Sequence, residues 1–121
     1  MVNEYVISIG SNVPETARGY VESAMRFMEN LLAEAKSSSV YSTPSVNGDG
    51  TMYFNAVVKG FSPLDSAQIQ QACKDYETAS GRTKTAPYVV IDLDLVMANG
   101  CVVRPKDASK SYFTIGFNEL S

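Results

Sequence analysis

The chain has 121 residues, of which 45% are hydrophobic and 19% charged, and these values are typical of a folded globular protein rather than a disordered one. This length suits one hydrophobic core, so we expect a single domain over residues 1–121. The net charge of −3 argues against a nucleic-acid partner, because general binding to phosphates needs a basic surface.

The first half of the chain predicts a strand, a long helix and a second strand. Residues 5–9 are β-branched and aromatic and end at Gly10, which is typical of a strand. Apolar residues at three-and-four spacing from Ala17 to Ala35 predict an amphipathic helix over residues 14–36. Residues 38–43 predict a second strand that Pro44 ends, and residues 45–50 contain enough turn residues to predict an exposed loop.

The second half adds two strands, a helix and a hairpin. Residues 53–60 predict the third strand, and a helix follows residues 62–65 and ends at Gly81. Residues 89–97 predict the fourth strand, and Asn99-Gly100 is a two-residue hairpin turn into a return strand at 101–103. This order predicts an α+β, ferredoxin-like β-α-β-β-α-β sandwich, in which helices cover one face of an antiparallel sheet and a short C-terminal hairpin strand is added.

The chemistry open to the chain is narrowed by the residues that it lacks. It has no histidine, which excludes serine–histidine triads, cysteine–histidine pairs and histidine-bearing zinc sites. Cys73 and Cys101 have neither metal-ligand spacing nor a disulfide framework, and no signal sequence or membrane span is recognisable, so we expect a cytoplasmic protein without a membrane partner.

The segment "IDLDLV" at residues 91–96 places Asp92 and Asp94 on one face of a strand and large aliphatic side chains on the other. A strand with one buried and one exposed face has apolar and polar side chains in alternation, and this explains the pattern without a functional role for the aspartates. Aspartate is, however, depleted in strands, and two carboxylates on one face repel each other. A magnesium ion, which takes oxygen ligands from one or two carboxylates and from substrate phosphates, is the functional alternative.

Two further groups of side chains are candidates for ligand binding. Glu77, Arg82 and Lys84 come at or just after the end of the second helix, where they suit a nucleotide phosphate but equally an ordinary solvated helix end. A second group combines aromatic rings with an asparagine amide, which suits a flat heterocycle, although each member is individually more common as a core or turn residue: Thr43, Pro44, Tyr53, Asn55 and Phe113.

Five segments occur in the order seen in hydroxymethyldihydropterin pyrophosphokinases, and this chain resembles that family from about residue 5 to residue 113. The segments are "SIGSN" at 8–12, "VYSTP" at 40–44, "YFNAVV" at 53–58, "ETASGR" at 77–82 and "IDLDLV" at 91–96. The resemblance implies an enzyme that transfers diphosphate from ATP to the hydroxymethyl group of a reduced pterin. It also implies small-molecule substrates, and we expect a monomer.

The resemblance assigns roles to the candidate residues. It implies two magnesium ions on Asp92 and Asp94, with Arg82 as a further catalytic residue. ATP is expected near Glu77 and Arg82, with Lys84 and Lys110 as candidate cations for its phosphates. The pterin is expected among the aromatic and amide group, namely Thr43, Pro44, Tyr53, Asn55 and Phe113.

The chain departs from the family pattern at several cationic positions. Val89 stands where the family has an arginine three residues before its first aspartate, no tryptophan is present, and Lys106 replaces a histidine that follows a proline. A family arginine near the C-terminus aligns with Lys110 and Ser111. The candidate replacements for the missing cations are Lys84, Arg104, Lys106 and Lys110. Lysine lacks the bidentate fork of arginine, so the alternative is a protein that binds a pterin or a nucleotide on this fold with impaired catalysis.

Overall fold

The computed structural model describes residues 2–121 and confirms an α+β fold in which helices pack on a six-stranded antiparallel sheet. Its elements in chain order are β1 Asn3–Ser11, α1 Ala17–Leu31, β2 Ala33–Ser37, β3 Tyr41–Pro44, β4 Met52–Ser62, α2 Ser66–Ala79, β5 Asp92–Ala98, β6 Cys101–Val102, α3 Pro105–Ala108 and α4 Ser111–Glu119. Within these residues no helix is both long and apolar enough to cross a membrane.

The sheet places β1 in the middle, between β4 and β5. The strand order is β2-β4-β1-β5-β6, and β3 pairs with another part of β4. In this register Gly10 of β1 lies opposite Asn55 of β4 on one side and opposite Asp92 of β5 on the other. The central strand therefore brings the asparagine and the first aspartate of the two candidate groups to the same level of the sheet.

One face of the sheet forms the main core with α1 and α2. Side chains at alternate positions of the strands point to this face, and Ile91, Leu93 and Leu95 are among them. They pack with the apolar faces of the two helices, for example with Met28 and Ile69. The predicted division of the "IDLDLV" strand into an aliphatic face and a carboxylate face is therefore confirmed.

The second face carries its own smaller cluster, in which Phe113 of α4 packs on Val6, Val57 and Val96. The sequence pattern predicts helices on one face only and gives no indication of α4. Its close approach to the sheet depends on Gly116, because a Cβ atom there would lie 2.7 Å from the Tyr41 hydroxyl oxygen. The aspartates consequently face a surface that is partly covered rather than open.

The long helix predicted over residues 14–36 is too long at both ends. Glu15 has a left-handed backbone (φ 67°), and α1 begins at Ala17 and ends at Leu31. Ala33–Ser37 instead form β2 at the edge of the sheet, paired with β4, and within this strand Glu34 adopts a positive φ of 52° where the register shifts. The buried Leu32 continues the apolar spacing past the helix end, which is why the periodicity overestimated its length.

Candidate active site

The two aspartates project from β5 on the face that carries α4. Asp92 lies opposite Gly10 and Asp94 lies opposite Ser8 in the β1–β5 register. The side chain of Asp92 is 39% exposed and that of Asp94 is 23% exposed. Both carboxylates are therefore accessible from one side of the sheet while their backbone is held in its interior.

A cleft of about 830 Å³ opens beside these carboxylates, between the end of α2, the segment 83–89 and β5. We call it the larger cleft. Five of the residues singled out in the sequence line it together: Glu77, Arg82, Lys84, Asp92 and Asp94. Lys74 and Arg104 add two further cations to its walls. The cleft thus combines acidic groups with a set of positive side chains.

Arg82 is bound to carboxylates on both walls of the larger cleft. Its Nη1 atom donates to Asp92 Oδ1 at 2.7 Å and lies 3.1 Å from Glu77 Oε1. The same nitrogen reaches the main-chain oxygen of Ile91 at 3.3 Å. Glu77 Oε2 in turn accepts a hydrogen bond from the Leu93 amide at 2.7 Å. Arg82 and Glu77 together therefore connect the end of α2 to the start of β5.

The carboxylate pair carries negative charge that its protein neighbours only partly compensate. Burial, and then the charge of Asp92, raise the pKa of the Asp94 carboxyl to about 8. Arg104 opposes this shift, but its Nη2 atom is 3.9 Å from Asp94 Oδ1. Burial also raises the pKa of Glu77, although the Leu93 amide and Arg82 act in the opposite direction.

This arrangement fits a magnesium ion that a substrate helps to bind. The donor set is two neighbouring carboxylates whose mutual repulsion a divalent cation would relieve. Among residues 2–121 no three His, Cys, Asp or Glu side chains form a metal-binding cluster. The protein thus offers carboxylates without a full ligand shell, as is usual for magnesium that retains water and phosphate oxygens.

A smaller cavity of about 190 Å³ lies on the other side of Asp92, which lines both spaces. Four residues of the predicted pterin group line it, namely Thr43, Pro44, Tyr53 and Asn55. Gly10 lines it too, at a point where a Cβ atom would lie 3.4 Å from Asn55 Oδ1 and 3.7 Å from Tyr53 Cδ2. The absence of a side chain at Gly10 therefore keeps this space open.

Asn55 is held firmly at the wall of the smaller cavity. Its side chain is buried, and Nδ2 donates to Thr43 Oγ1 at 2.8 Å. None of the hydrogen bonds described for residues 2–121 uses its Oδ1 atom, so that oxygen is available as an acceptor. Burial raises the pKa of the Tyr53 hydroxyl, and the charge of Asp92 adds to the shift.

Two predicted site residues do not line either space. Phe113 is 2% exposed and stacks on Phe117 with ring centroids 5.3 Å apart, within the cluster on the second face of the sheet. Tyr112, its neighbour in sequence, lines the smaller cavity instead. Lys110 precedes α4 and is exposed, and it lines neither the larger cleft nor the smaller cavity.

Three further residues join the edge of the site. Asp107 and Tyr112 were not indicated by the sequence, whereas Arg104 was one of the candidate replacements for the missing cations. Arg104 lines the larger cleft, Tyr112 lines the smaller cavity, and the buried Asp107 accepts hydrogen bonds from both. The i, i+3 spacing of Arg104 and Asp107 across a proline was a signal for their pairing. Nothing in the sequence indicated that Tyr112 rather than Phe113 would turn towards the cavity.

Asn12, from the segment "SIGSN", has a structural role at the rim of the larger cleft. Its side-chain Oδ1 atom accepts a hydrogen bond from the main-chain amide of Val89 at 2.6 Å. The main-chain amide of Asn12 donates to the main-chain oxygen of Val89 at 3.1 Å. Val89 stands where the resemblance leads us to expect an arginine, and its side chain brings no charge to the cleft. Asn12 therefore holds the segment 83–89 at Val89, through the main-chain atoms of that residue.

Comparison with known protein families gives a match over nearly the whole chain. A family model described as 7,8-dihydro-6-hydroxymethylpterin-pyrophosphokinase matches residues 6–120, which is nearly the whole chain. The search of curated proteins gave no match. The match contains all five sequence segments, both aspartates of β5, the larger part of β1 and every element from α1 to α4. On this basis the chain is a member of the 7,8-dihydro-6-hydroxymethylpterin-pyrophosphokinase family.

Proposed function

We propose that the protein is a magnesium-dependent enzyme that transfers diphosphate from ATP to the hydroxymethyl group of a reduced pterin and releases AMP. The observation that carries the proposal is that Asp92 lines both the larger cleft and the smaller cavity. A ligand in one space and a ligand in the other would therefore meet at this carboxylate. Family membership supports a pterin pyrophosphokinase of folate biosynthesis in general.

The smaller cavity suits the acceptor. At about 190 Å³ it is below the roughly 300–1,000 Å³ of sites for drug-sized ligands, so it suits one small ring system. Tyr53 offers a ring face for stacking on a flat heterocycle. Asn55, fixed by Thr43, offers Oδ1 to an amino group of the heterocycle. Pro44 adds apolar wall, and Tyr112 takes the position that we had assigned to Phe113.

The larger cleft suits the nucleotide phosphates. Lys84 and Arg82 are the cations that we propose for the triphosphate, and Glu77 holds Arg82 at the cleft. We propose that Asp92 and Asp94 hold the magnesium ions, which would neutralise phosphate charge and align the reacting groups. Because Lys110 lies outside this cleft, we no longer include it among the phosphate ligands.

The proposed reaction needs little covalent chemistry from the protein. The hydroxymethyl oxygen of the pterin attacks the β-phosphorus of ATP in line, and a new O–P bond forms. The bond between the β-phosphorus and the oxygen that bridges to the α-phosphorus breaks, AMP leaves with that oxygen, and the hydroxyl proton passes to water. The residues of the two spaces contribute by binding, orienting and charge stabilisation.

A coupled assay for AMP tests the proposal. Purified protein is incubated with ATP, magnesium and the reduced 6-hydroxymethylpterin, and AMP formation is followed with each component omitted in turn. We expect AMP only in the complete mixture. The absence of AMP above background from protein with a cooperative thermal transition would refute the enzymatic proposal.

The alternative is a protein of this family that binds its ligands with impaired catalysis. Val89 in place of an arginine favours it, and so do the ion pairs of Arg82 with Asp92 and Glu77, which a phosphate would have to replace. Calorimetry distinguishes the two functions. Pterin binding without magnesium-dependent binding of ATP would favour the alternative, whereas binding of both together with AMP formation supports the enzyme.

A further inference from the structure

One buried carboxylate connects the two spaces of the site. The Asp107 side chain belongs to the short helix α3, and the residue is only 6% exposed. Its Oδ2 atom accepts a hydrogen bond from Nε of Arg104, and its Oδ1 atom accepts one from the hydroxyl of Tyr112. Each oxygen of this carboxylate thus holds a different side chain.

The two partners of Asp107 line different spaces. Arg104 lines the larger cleft, where its Nη2 atom lies 3.9 Å from Asp94 Oδ1 and its side chain remains 47% exposed. Tyr112 lines the smaller cavity. Its main-chain oxygen also accepts a hydrogen bond from the Tyr41 hydroxyl at 2.6 Å, so Tyr112 is held at both its backbone and its phenol.

Anchoring through Nε leaves the outer part of the Arg104 guanidinium free. An arginine on a solvated surface samples many rotamers, and a charge-assisted hydrogen bond at Nε removes much of that freedom while Nη1 and Nη2 can still donate. The same carboxylate restricts rotation of the Tyr112 ring about its side-chain bonds. Asp107 therefore sets the position of a cation in one space and of an aromatic ring in the other.

We propose that Asp107 is a positioning residue that orients Arg104 towards the phosphates of the nucleotide and Tyr112 towards the pterin. The inference rests on the proposed function for the identity of the two ligands. It selects Arg104 from the candidate cations and adds the aromatic ring of Tyr112, which the sequence had not indicated. A purely structural tether of α3 and α4 to the sheet is the competing explanation.

Single variants separate the effects of the two hydrogen bonds that Asp107 accepts, from Arg104 and from Tyr112. We measure by calorimetry the affinity for α,β-methylene-ATP with magnesium and, separately, for 6-hydroxymethylpterin. Arg104→Gln removes the cation, so we expect about tenfold weaker nucleotide binding, the worth of one charge-assisted hydrogen bond, with pterin binding unchanged. Tyr112→Phe keeps the ring but removes its hydrogen bond to the Asp107 carboxylate. The ring is then less restricted, so we expect pterin binding about threefold weaker and nucleotide binding unchanged.

Asp107→Ala should weaken both ligands, because it releases both side chains at once. Asp107→Asn preserves the side-chain volume, and its two affinities are measured instead if the alanine variant does not fold. Its amide oxygen can still accept from Arg104 Nε, which can only donate, and its NH₂ group can donate to the Tyr112 hydroxyl, which can also accept. The negative charge is lost, however, so the hydrogen bond that positions Arg104 is weaker, and we expect a smaller loss of nucleotide affinity than in the alanine variant, with pterin affinity retained.

Glu119→Ala is the matched control, because Glu119 tethers the other end of α4 to Ser39 through two hydrogen bonds of 2.8 and 2.7 Å. It lines neither the larger cleft nor the smaller cavity. If Asp107→Ala leaves both affinities at the wild-type value, or if Glu119→Ala reduces both as strongly, the positioning role is overturned. Wild-type protein that binds neither ligand would instead refute the proposed function and the inference with it.

Discussion

Replacing Asp94 by asparagine should stabilise the protein in the absence of metal. The change removes one of two negative charges on the same face of β5 and keeps the shape of the side chain. Asp94 is 23% exposed, and its closest cation is the Arg104 guanidinium at 3.9 Å. The folded state therefore carries a carboxylate that is poorly solvated and incompletely paired, and the unfolded chain does not.

The size of the effect follows from Coulomb's law. Two like charges about 7 Å apart, as on alternate residues of a strand, repel by about 2 kcal/mol at an effective dielectric constant near 20. Arg104 returns part of this energy, whereas burial of the carboxylate adds to it. Above pH 8 we therefore expect a gain in the free energy of unfolding between roughly 1 kcal/mol, from the repulsion alone, and about 6 kcal/mol, the worth of the full pKa shift from 3.8 to about 8. For a chain of 121 residues the lower of these values corresponds to a rise in Tm of about 3–5 °C.

The gain should depend on pH in a defined direction. Because the pKa of Asp94 is raised to about 8 in the folded protein, the folded state binds more protons than the unfolded state between the ordinary pKa of 3.8 and that value. The wild-type free energy of unfolding therefore falls as the pH rises through this window. The asparagine variant lacks this loss, so its advantage should be near zero at pH 4 and complete above pH 8.

Urea denaturation at both ends of this window, in buffer with a chelator, measures the difference. Asp75→Asn, on the exposed surface of α2, is the matched control and should change stability little at either pH.

The double variant Asp92→Asn with Asp94→Asn should also lose any thermal shift induced by magnesium and nucleotide. In the wild-type protein this shift grows with the ratio of ligand concentration to Kd. An equal or negative effect of Asp94→Asn at both pH values, or an unaltered thermal shift in the double variant, would refute this reasoning.

Three further changes test the supports of the site. Asp65→Ala removes the capping box at the start of α2, so we expect a loss of about 1 kcal/mol in urea denaturation. Gly116→Ala should cost roughly 1–3 kcal/mol by overpacking, whereas Gly19→Ala, where a Cβ atom meets nothing within 4 Å, should be neutral or stabilising by up to about 1 kcal/mol. Arg82→Ala should lower ATP affinity by roughly 1.5–3 kcal/mol in calorimetry and leave pterin affinity unchanged, and an unchanged ATP affinity would show that Arg82 does not hold the triphosphate.

The features that the sequence predicted well depend on local geometry. Alternation in a strand has a period of two, so "IDLDLV" was enough to place Leu93 and Leu95 in the core and Asp92 and Asp94 on the other face. The order of the elements then predicted the sheet. The family resemblance extended the prediction from the sheet to the residues that line the larger cleft, because the family's motifs come from the ends of neighbouring elements.

The features that the sequence missed depend on contacts between distant segments. β2 forms because Ala33–Ser37 pair with the edge of β4, although Leu32 continues the apolar spacing of α1. In α4, consecutive side chains are rotated by about 100°, so Tyr112 and Phe113 must face different directions. Which of them faces the smaller cavity is decided by how the helix docks, and the close approach at Gly116 is not visible in a local pattern.

The charges of the larger cleft compensate one another before any ligand binds. Arg82 lies on Asp92, and Arg104 lies between Asp107 and Asp94, so both arginines are already partnered by carboxylates. A nucleotide with magnesium would bring the opposite arrangement, with cations for the aspartates and phosphates for the arginines. Binding in this protein is therefore an exchange of partners, and its free energy is the difference between two sets of ion pairs. Each arginine therefore contributes less to phosphate affinity than an unpaired cation would. For this reason Arg82 and Arg104 have to be tested one at a time.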